Sequence, residues 1–94
     1  MTGKAYQLAI TRTARKDLLD LPAKVSEQIE RAIERLTSRL GEGQRPQDMK
    51  LVLGRPYAYR VDSGEYRILF GLTEETATVT ILRIRHRKHI YRNL

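Results

Sequence analysis

Between residues 23 and 40 the apolar side chains Val25, Ile29, Ile33, Leu36 and Leu40 recur at steps of four, four, three and four. This spacing constrains the fold more than any other feature of the chain. A period near 3.6 stacks these residues on one side of a helix, and that side must find an apolar surface to cover. Glu27 and Arg31 form an i, i+4 pair on the polar side. The GEG at 41–43 ends the helix, because glycine takes left-handed backbone angles without steric cost. Pro22 punctuates the other end, and before it TRTARKDLLDLP reads as a shorter helical run with Thr11 or Thr13 as its N-cap.

The period then drops to two. After the polar linker QRPQDMK and the stretch LVLGRPYAYRV, Tyr59 and Val61 alternate with Arg60 and Asp62. DSGE supplies turn residues, and Tyr66, Ile68, Phe70 and Leu72 alternate with Arg67, Leu69 and Gly71, which predicts a hairpin. TEET makes a second tight connection into ATVTILRIR, a β-branched run apolar on both faces that predicts a central strand with helices over at least one side. Tyr6 to Ile10 is short, mixed and β-compatible. The order β-α-α-β-β-β predicts an α+β domain in which two N-terminal helices pack on a small, mostly antiparallel sheet. A chain of 94 residues builds one hydrophobic core and not two, so residues 1–94 are read as a single domain.

Charge narrows the partner. Lys and Arg number 18 against 11 Asp and Glu, a formal charge of +7 that favours a polyanion such as RNA, DNA or an acidic protein. No acidic residue follows Glu75, whereas Arg83, Arg85, Arg87, Lys88 and Arg92 do. Without cysteine there is no disulfide framework and no thiol nucleophile. The H-x-x-H spacing of His86 and His89 lacks a third ligand nearby, so neither a metal nor another cofactor is expected. MTGKAYQLAI lacks the apolar run of a signal peptide and no stretch reaches membrane-spanning length, so the expectation is a cytoplasmic protein that does not engage membranes.

Strand alternation sorts the candidate functional residues by face. If Tyr59, Val61, Tyr66, Ile68 and Phe70 point to the helices, then Arg60, Asp62, Arg67 and Leu69 point away, toward a second face expected to be concave and cationic. The C-terminal RHRKHIYRNL leaves the last strand close enough to flank that face, so that Arg67 and the final cluster converge. Guanidinium forks grip phosphate oxygens in pairs better than an ammonium does. Such a site can cleave RNA without a metal, because the ribose 2′-hydroxyl is a nucleophile already present in the substrate. The protein must supply a base, a cation for the dianionic phosphorane and an acid for the leaving 5′-oxygen. Arg67 and Arg87 are the natural charge stabilisers, and Tyr91, Lys88, His86 and His89 are the unranked candidates for proton transfer. The alternative for Arg67 is a plain surface pair with Asp62 or Glu65 across the turn. Tyr59 and Tyr66 share the parity of the apolar positions and are assigned to packing.

KLVLGRPYAYRVDSGEYRILF followed by VTILRIRHRKHIYR resembles the RelE/ParE superfamily of bacterial toxin–antitoxin toxins, and more closely its RelE branch. The most specific parts are the Y-R-V-x-x-G-E-Y-R-I hairpin and the terminal H-R-x-x-I-Y. The resemblance implies a RelE-like fold and an endoribonuclease that cuts messenger RNA, usually in the ribosomal A site. It also implies a cognate acidic, RelB-like antitoxin that holds the toxin inactive, in a complex able to bind operator DNA. By position it makes Arg67 the arginine that contacts the scissile phosphate, Arg87 the catalytic arginine after the last strand, and Tyr91 the residue that stacks on a base or assists proton transfer. Arg60 falls at the first of two basic positions on the second strand, with Arg85, Lys88, His86 and His89 as further substrate contacts. The second basic position holds Asp62. An acidic group there repels phosphate and can pair with Arg60 or Arg67, which leaves the base to Lys88 or a histidine, or lowers the activity. The rival implication is a ParE-like inhibitor of DNA gyrase that cuts no RNA.

Overall fold

The computed structural model describes residues 5–45, 49–52 and 58–88. Strand β1 (Gln7–Ile10) leads into helix α1 (Arg12–Leu19) and helix α2 (Ala23–Gly41), followed by β2 (Lys50–Leu51), β3 (Ala58–Ser63), β4 (Tyr66–Thr73) and β5 (Thr78–His86). The strands form one sheet in the order β1-β5-β4-β3-β2, with β1 parallel to β5 and the remaining pairs antiparallel. The expected α+β arrangement holds, with one additional short strand, β2. The middle position belongs to β4, and β5 is interior but one place off centre.

The apolar stripe of α2 does what its spacing requires. Ile29, Ile33, Leu36 and Leu40 are buried against Val61, Ile68, Phe70, Leu72, Val79, Ile81 and Ile84 of the sheet, with Val25 partly buried at the margin. Burial of each such side chain stabilises the fold by roughly 1.5–3 kcal/mol. The helix closes through the amide of Gln44, which donates to Arg39 O at 2.8 Å, and Gly43 takes the left-handed angle (φ +81°) that this closure demands.

Thr11, and not Thr13, caps α1: its hydroxyl oxygen accepts from Ala14 N at 3.1 Å and its hydroxyl donates to Leu82 O at 3.1 Å. Thr11 N donates to Ile81 O at 3.0 Å. β1 pairs with β5 only as far as Ile81. Beyond that point α1 takes over the strand edge, with Asp17 Oδ2 accepting from Ile84 N at 2.9 Å. The register of β4 and β5 shifts between Leu69 and Phe70, which face Arg83 and Ile81 respectively. Leu82 is the extra residue of this bulge, and the shift lets Ile81 and Ile84 both face the helices although they stand three apart.

The β3–β4 connection is a two-residue turn, Gly64–Glu65, between the partners Ser63 and Tyr66. Gly64 has φ +60°, so the backbone calls for glycine, and a Cβ built there would meet the end of the flexible Gln28 side chain, its amide nitrogen, at 2.6 Å. Gln28 in turn donates to Ser63 Oγ at 3.1 Å, which ties α2 to the hairpin end of the sheet.

Candidate functional site

On the face of the sheet away from the helices, Asp62, Arg67 and Arg85 are Cα partners in register and form one row across β3, β4 and β5. Residues opposite one another on neighbouring strands have Cβ atoms about 5 Å apart, so the Arg67 and Arg85 side chains leave the sheet from adjacent points of one face. Arg67 Nε donates to Asp62 Oδ1 at 2.9 Å. The open question of Arg67's partner is thereby resolved in favour of Asp62 over Glu65. The next row runs Lys50, Arg60, Leu69 and Arg83. Like charges directly opposite on adjacent strands destabilise a sheet, so an Arg67–Arg85 pairing is a poor choice for stability and a good one for gripping an anion between two forks.

The face is not cationic throughout, as alternation alone led one to expect. Leu69 is buried together with Val52 and Ala58, and Leu82 packs against them. The outer face is thus charged near the hairpin end and apolar toward the opposite end of β3. Arg83 is drawn away from it: its Nε and Nη2 donate to Asp17 at 3.0 and 3.4 Å, at the edge covered by α1. Asp17 escaped the sequence reading because its partners lie 66 and 67 residues along the chain.

The other expected residues divide by position. Arg87 follows β5 directly, and its amide donates to Glu65 O at 2.8 Å, so its backbone sits beside the hairpin turn at the same end of the sheet as Arg67. Lys88 is exposed, and its amide donates to His86 Nδ1 at 3.2 Å. His86 belongs to the other face, because it is the register partner of Tyr66, with the two rings edge to face at 5.4 Å, and its Nε2 lies 3.8 Å from Glu65 Oε1. The structure therefore brings Arg60, Arg67 and Arg85 onto one surface with Arg87 at its end, and turns the His86 ring away from them. Tyr91 and His89 lie outside the described residues. Tyr59 and Tyr66 pack against the main core as expected, Tyr59 stacked on Phe70 at 5.9 Å.

His86 and Tyr66 border a cleft of ≈ 680 Å³ between α1 and the end of β5, which Arg12, Lys16, Asp17 and Arg85 also line. Arg85 thus stands between this cleft and the outer face. Among the described residues no group of three His, Cys, Asp or Glu side chains is placed to hold a metal ion, and no helix is long and apolar enough to cross a membrane.

The family model for the ParE toxin of type II toxin–antitoxin systems matches residues 8–91. The chain belongs to that family. The toxin is 35% identical over 91 residues to Toxin RelG of Mycobacterium tuberculosis, a match that covers 93% of this chain and 97% of the relative. Among solved structures it is similar to the toxin–antitoxin complex RelBE2 of M. tuberculosis, at 30% identity and a TM-score of 0.67 over 89% of this chain and 93% of that one. The isolated RelE toxin of E. coli shares its fold with a TM-score of 0.71, covering 96% of this chain and 100% of the other at 22% identity. The toxin is accordingly a type II toxin–antitoxin toxin of the RelE/ParE superfamily, with the RelE-like α+β fold.

Proposed function

We propose that this toxin is an endoribonuclease that cleaves messenger RNA on the ribosome by attack of the ribose 2′-hydroxyl on the adjacent phosphate. The products are a 2′,3′-cyclic phosphate and a 5′-hydroxyl. The observation that carries the reading is the pairing of Arg67 with Arg85 across β4 and β5, with Arg60 in the next row and the backbone of Arg87 at the same end of the sheet. In this reading Arg67 and Arg87 stabilise the phosphorane, and Tyr91 stacks on a base or assists proton transfer. Arg60, Arg85, Lys88 and His89 hold the RNA, while His86, whose ring turns to Tyr66 on the other face, drops out of the set. The chemistry needs no metal, since the nucleophile comes with the substrate.

The partner in the cell is an acidic, RelB-like antitoxin segment that neutralises part of the +7 charge by covering the cationic surface. A relative in M. tuberculosis was solved as a toxin–antitoxin complex. The complex also binds operator DNA in this reading, and the toxin works in the cytoplasm.

The family match favours a second reading, an inhibitor of DNA gyrase that cuts no RNA, because the matching model is that of ParE. Mapping of message ends on ribosomes in chelator-treated buffer, run in parallel with a gyrase supercoiling assay, separates the two. The nuclease reading expects new 5′-hydroxyl ends and unaffected supercoiling. It also expects Arg67→Ala and Arg87→Ala each to lower cleavage by about 10²–10³-fold. Full activity in the double variant would falsify this site, and supercoiling inhibition without new ends favours the gyrase reading.

A further inference from the structure

We propose that Asp62 is the general base of this site, the group that takes the proton from the attacking 2′-hydroxyl. The inference rests on the nuclease reading and assigns a role which that reading leaves open. An arginine does not give up its proton in a protein, so the guanidiniums of the outer face can bind and stabilise charge but cannot accept the proton. Among the described strand residues of that face Asp62 is the one carboxylate, in line with Arg67 and Arg85. Two rival acceptors nearby are turned elsewhere. Glu65 lies 3.8 Å from the His86 ring, and His86 sits on the helix-facing side with Tyr66.

Position and exposure both suit the role. A phosphate gripped by Arg67 and Arg85 has Asp62 on the flank of Arg67, one strand over. The bond from Arg67 Nε to Asp62 Oδ1, 2.9 Å long, fixes the carboxylate beside the arginine that would meet the phosphate. A guanidinium carries five N–H donors in a planar fork, so holding a carboxylate through Nε and contacting a phosphate through other nitrogens are compatible in kind. The Asp62 side chain is 43% exposed, against 20% for Arg67, so substrate can reach it from solvent. The contact resembles an inhibitory salt bridge, and the two roles make opposite predictions: a base is needed for turnover, whereas a brake slows it.

In the step proposed, an Asp62 oxygen accepts the 2′-hydroxyl proton as the 2′-oxygen forms its bond to phosphorus. The P–O5′ bond then breaks, and the 5′-oxygen leaves with the bonding electrons and takes a proton from water. Asp62 returns its own proton to solvent after the products leave.

The test is single-turnover cleavage of ribosome-bound message together with RNA affinity and a thermal melt, for the parent toxin, Asp62→Asn, Asp62→Glu and Asp62→Ala. General-base catalysis is worth about 10²–10⁴-fold, so Asp62→Asn is expected to lose at least about 10²-fold in the cleavage step. Its RNA affinity should be unchanged or tighter, because a negative charge has left a cationic face. Asp62→Glu should keep measurable cleavage, and added formate should partly restore Asp62→Ala. Cleavage by Asp62→Asn at or above the parent rate identifies the pair with Arg67 as a brake and overturns the assignment. So does a loss of cleavage and affinity in proportion, or a melt showing that the variant is unfolded while formate restores nothing. A parent toxin that yields no new message ends is a different failure, since it removes the nuclease reading itself and this inference with it.

Discussion

On the helix-facing side of the sheet, Val61, Ile68, Phe70, Leu72, Val79, Ile81 and Ile84 are buried against α2. On the outer side the same three strands carry Arg60, Asp62, Arg67 and Arg85, together with the smaller apolar group of Ala58, Leu69 and Leu82. The first set follows from burial alone, since each member removes apolar surface from water. The second does not. A sheet built only for stability gains nothing from Arg67 opposite Arg85, although Asp62 pairs with Arg67 from the other neighbouring strand. One face is therefore accounted for by burial, the other is the face that the nuclease reading assigns to an anionic partner, and substitutions can be chosen to respond to one logic and not the other.

The largest effect belongs to the buried face. Phe70 is fully buried and stacked on Tyr59, so Phe70→Ala leaves a cavity that its surroundings close only in part. Its expected cost is about 3–5 kcal/mol in urea unfolding, a large part of the stability of a domain this small. A loss below about 1 kcal/mol, outside the usual range for such truncations, would show that the helix-facing side is not the one that holds the fold.

Asp17 gives the second test, because it joins the two regions at the strand edge. It receives the Arg83 guanidinium and the Ile84 amide, while Ile84 belongs to the core. Asp17→Ala leaves that amide and that guanidinium without their acceptor, at a cost of about 1–3 kcal/mol. Hydrogen exchange should report faster opening at the Ile84 amide in particular. An unchanged exchange rate there would mean that α1 guards the edge by packing alone.

These two residues also mark how far the sequence could be read. Phe70 and the α2 stripe were legible because period 2 and period 3.6 are local patterns that burial imposes on consecutive residues. β2 was not: Lys50 and Leu51 make a strand of two residues, too short to show a period. The bulge at Leu82 shifted parity within β5, which is why the run looked apolar on both faces, whereas Leu69 took the outward side that alternation gave it and found apolar company in Val52, Ala58 and Leu82. Within the site, Arg60 and Arg67 were placed on one face by alternation, and the link from Arg67 to Asp62 was among the pairings foreseen. His86 was grouped with Arg85 and Arg87 because they are neighbours in the chain, but adjacent residues of a strand point to opposite sides, and its ring joins Tyr66. The pair of Asp17 with Arg83 spans 66 residues and leaves no local trace.

The smallest stability effect tests the outer face. Arg85 faces Arg67 in register, so Arg85→Gln removes a like charge from the position opposite Arg67. Stability should hold or rise by about 0.2–1 kcal/mol, the range of cross-strand pair energies. Binding should move the other way. Loss of one phosphate contact to single-stranded RNA lowers the slope of log affinity against log salt by about 0.7, and this change should appear with the melting curve intact. A variant that is at once more stable and a weaker RNA binder is the outcome expected if an anionic ligand, and not the fold, keeps the two arginines together. If the variant instead loses stability while its salt dependence stays that of the parent, Arg85 belongs to the architecture, and the division between the two faces fails at the residue chosen to demonstrate it.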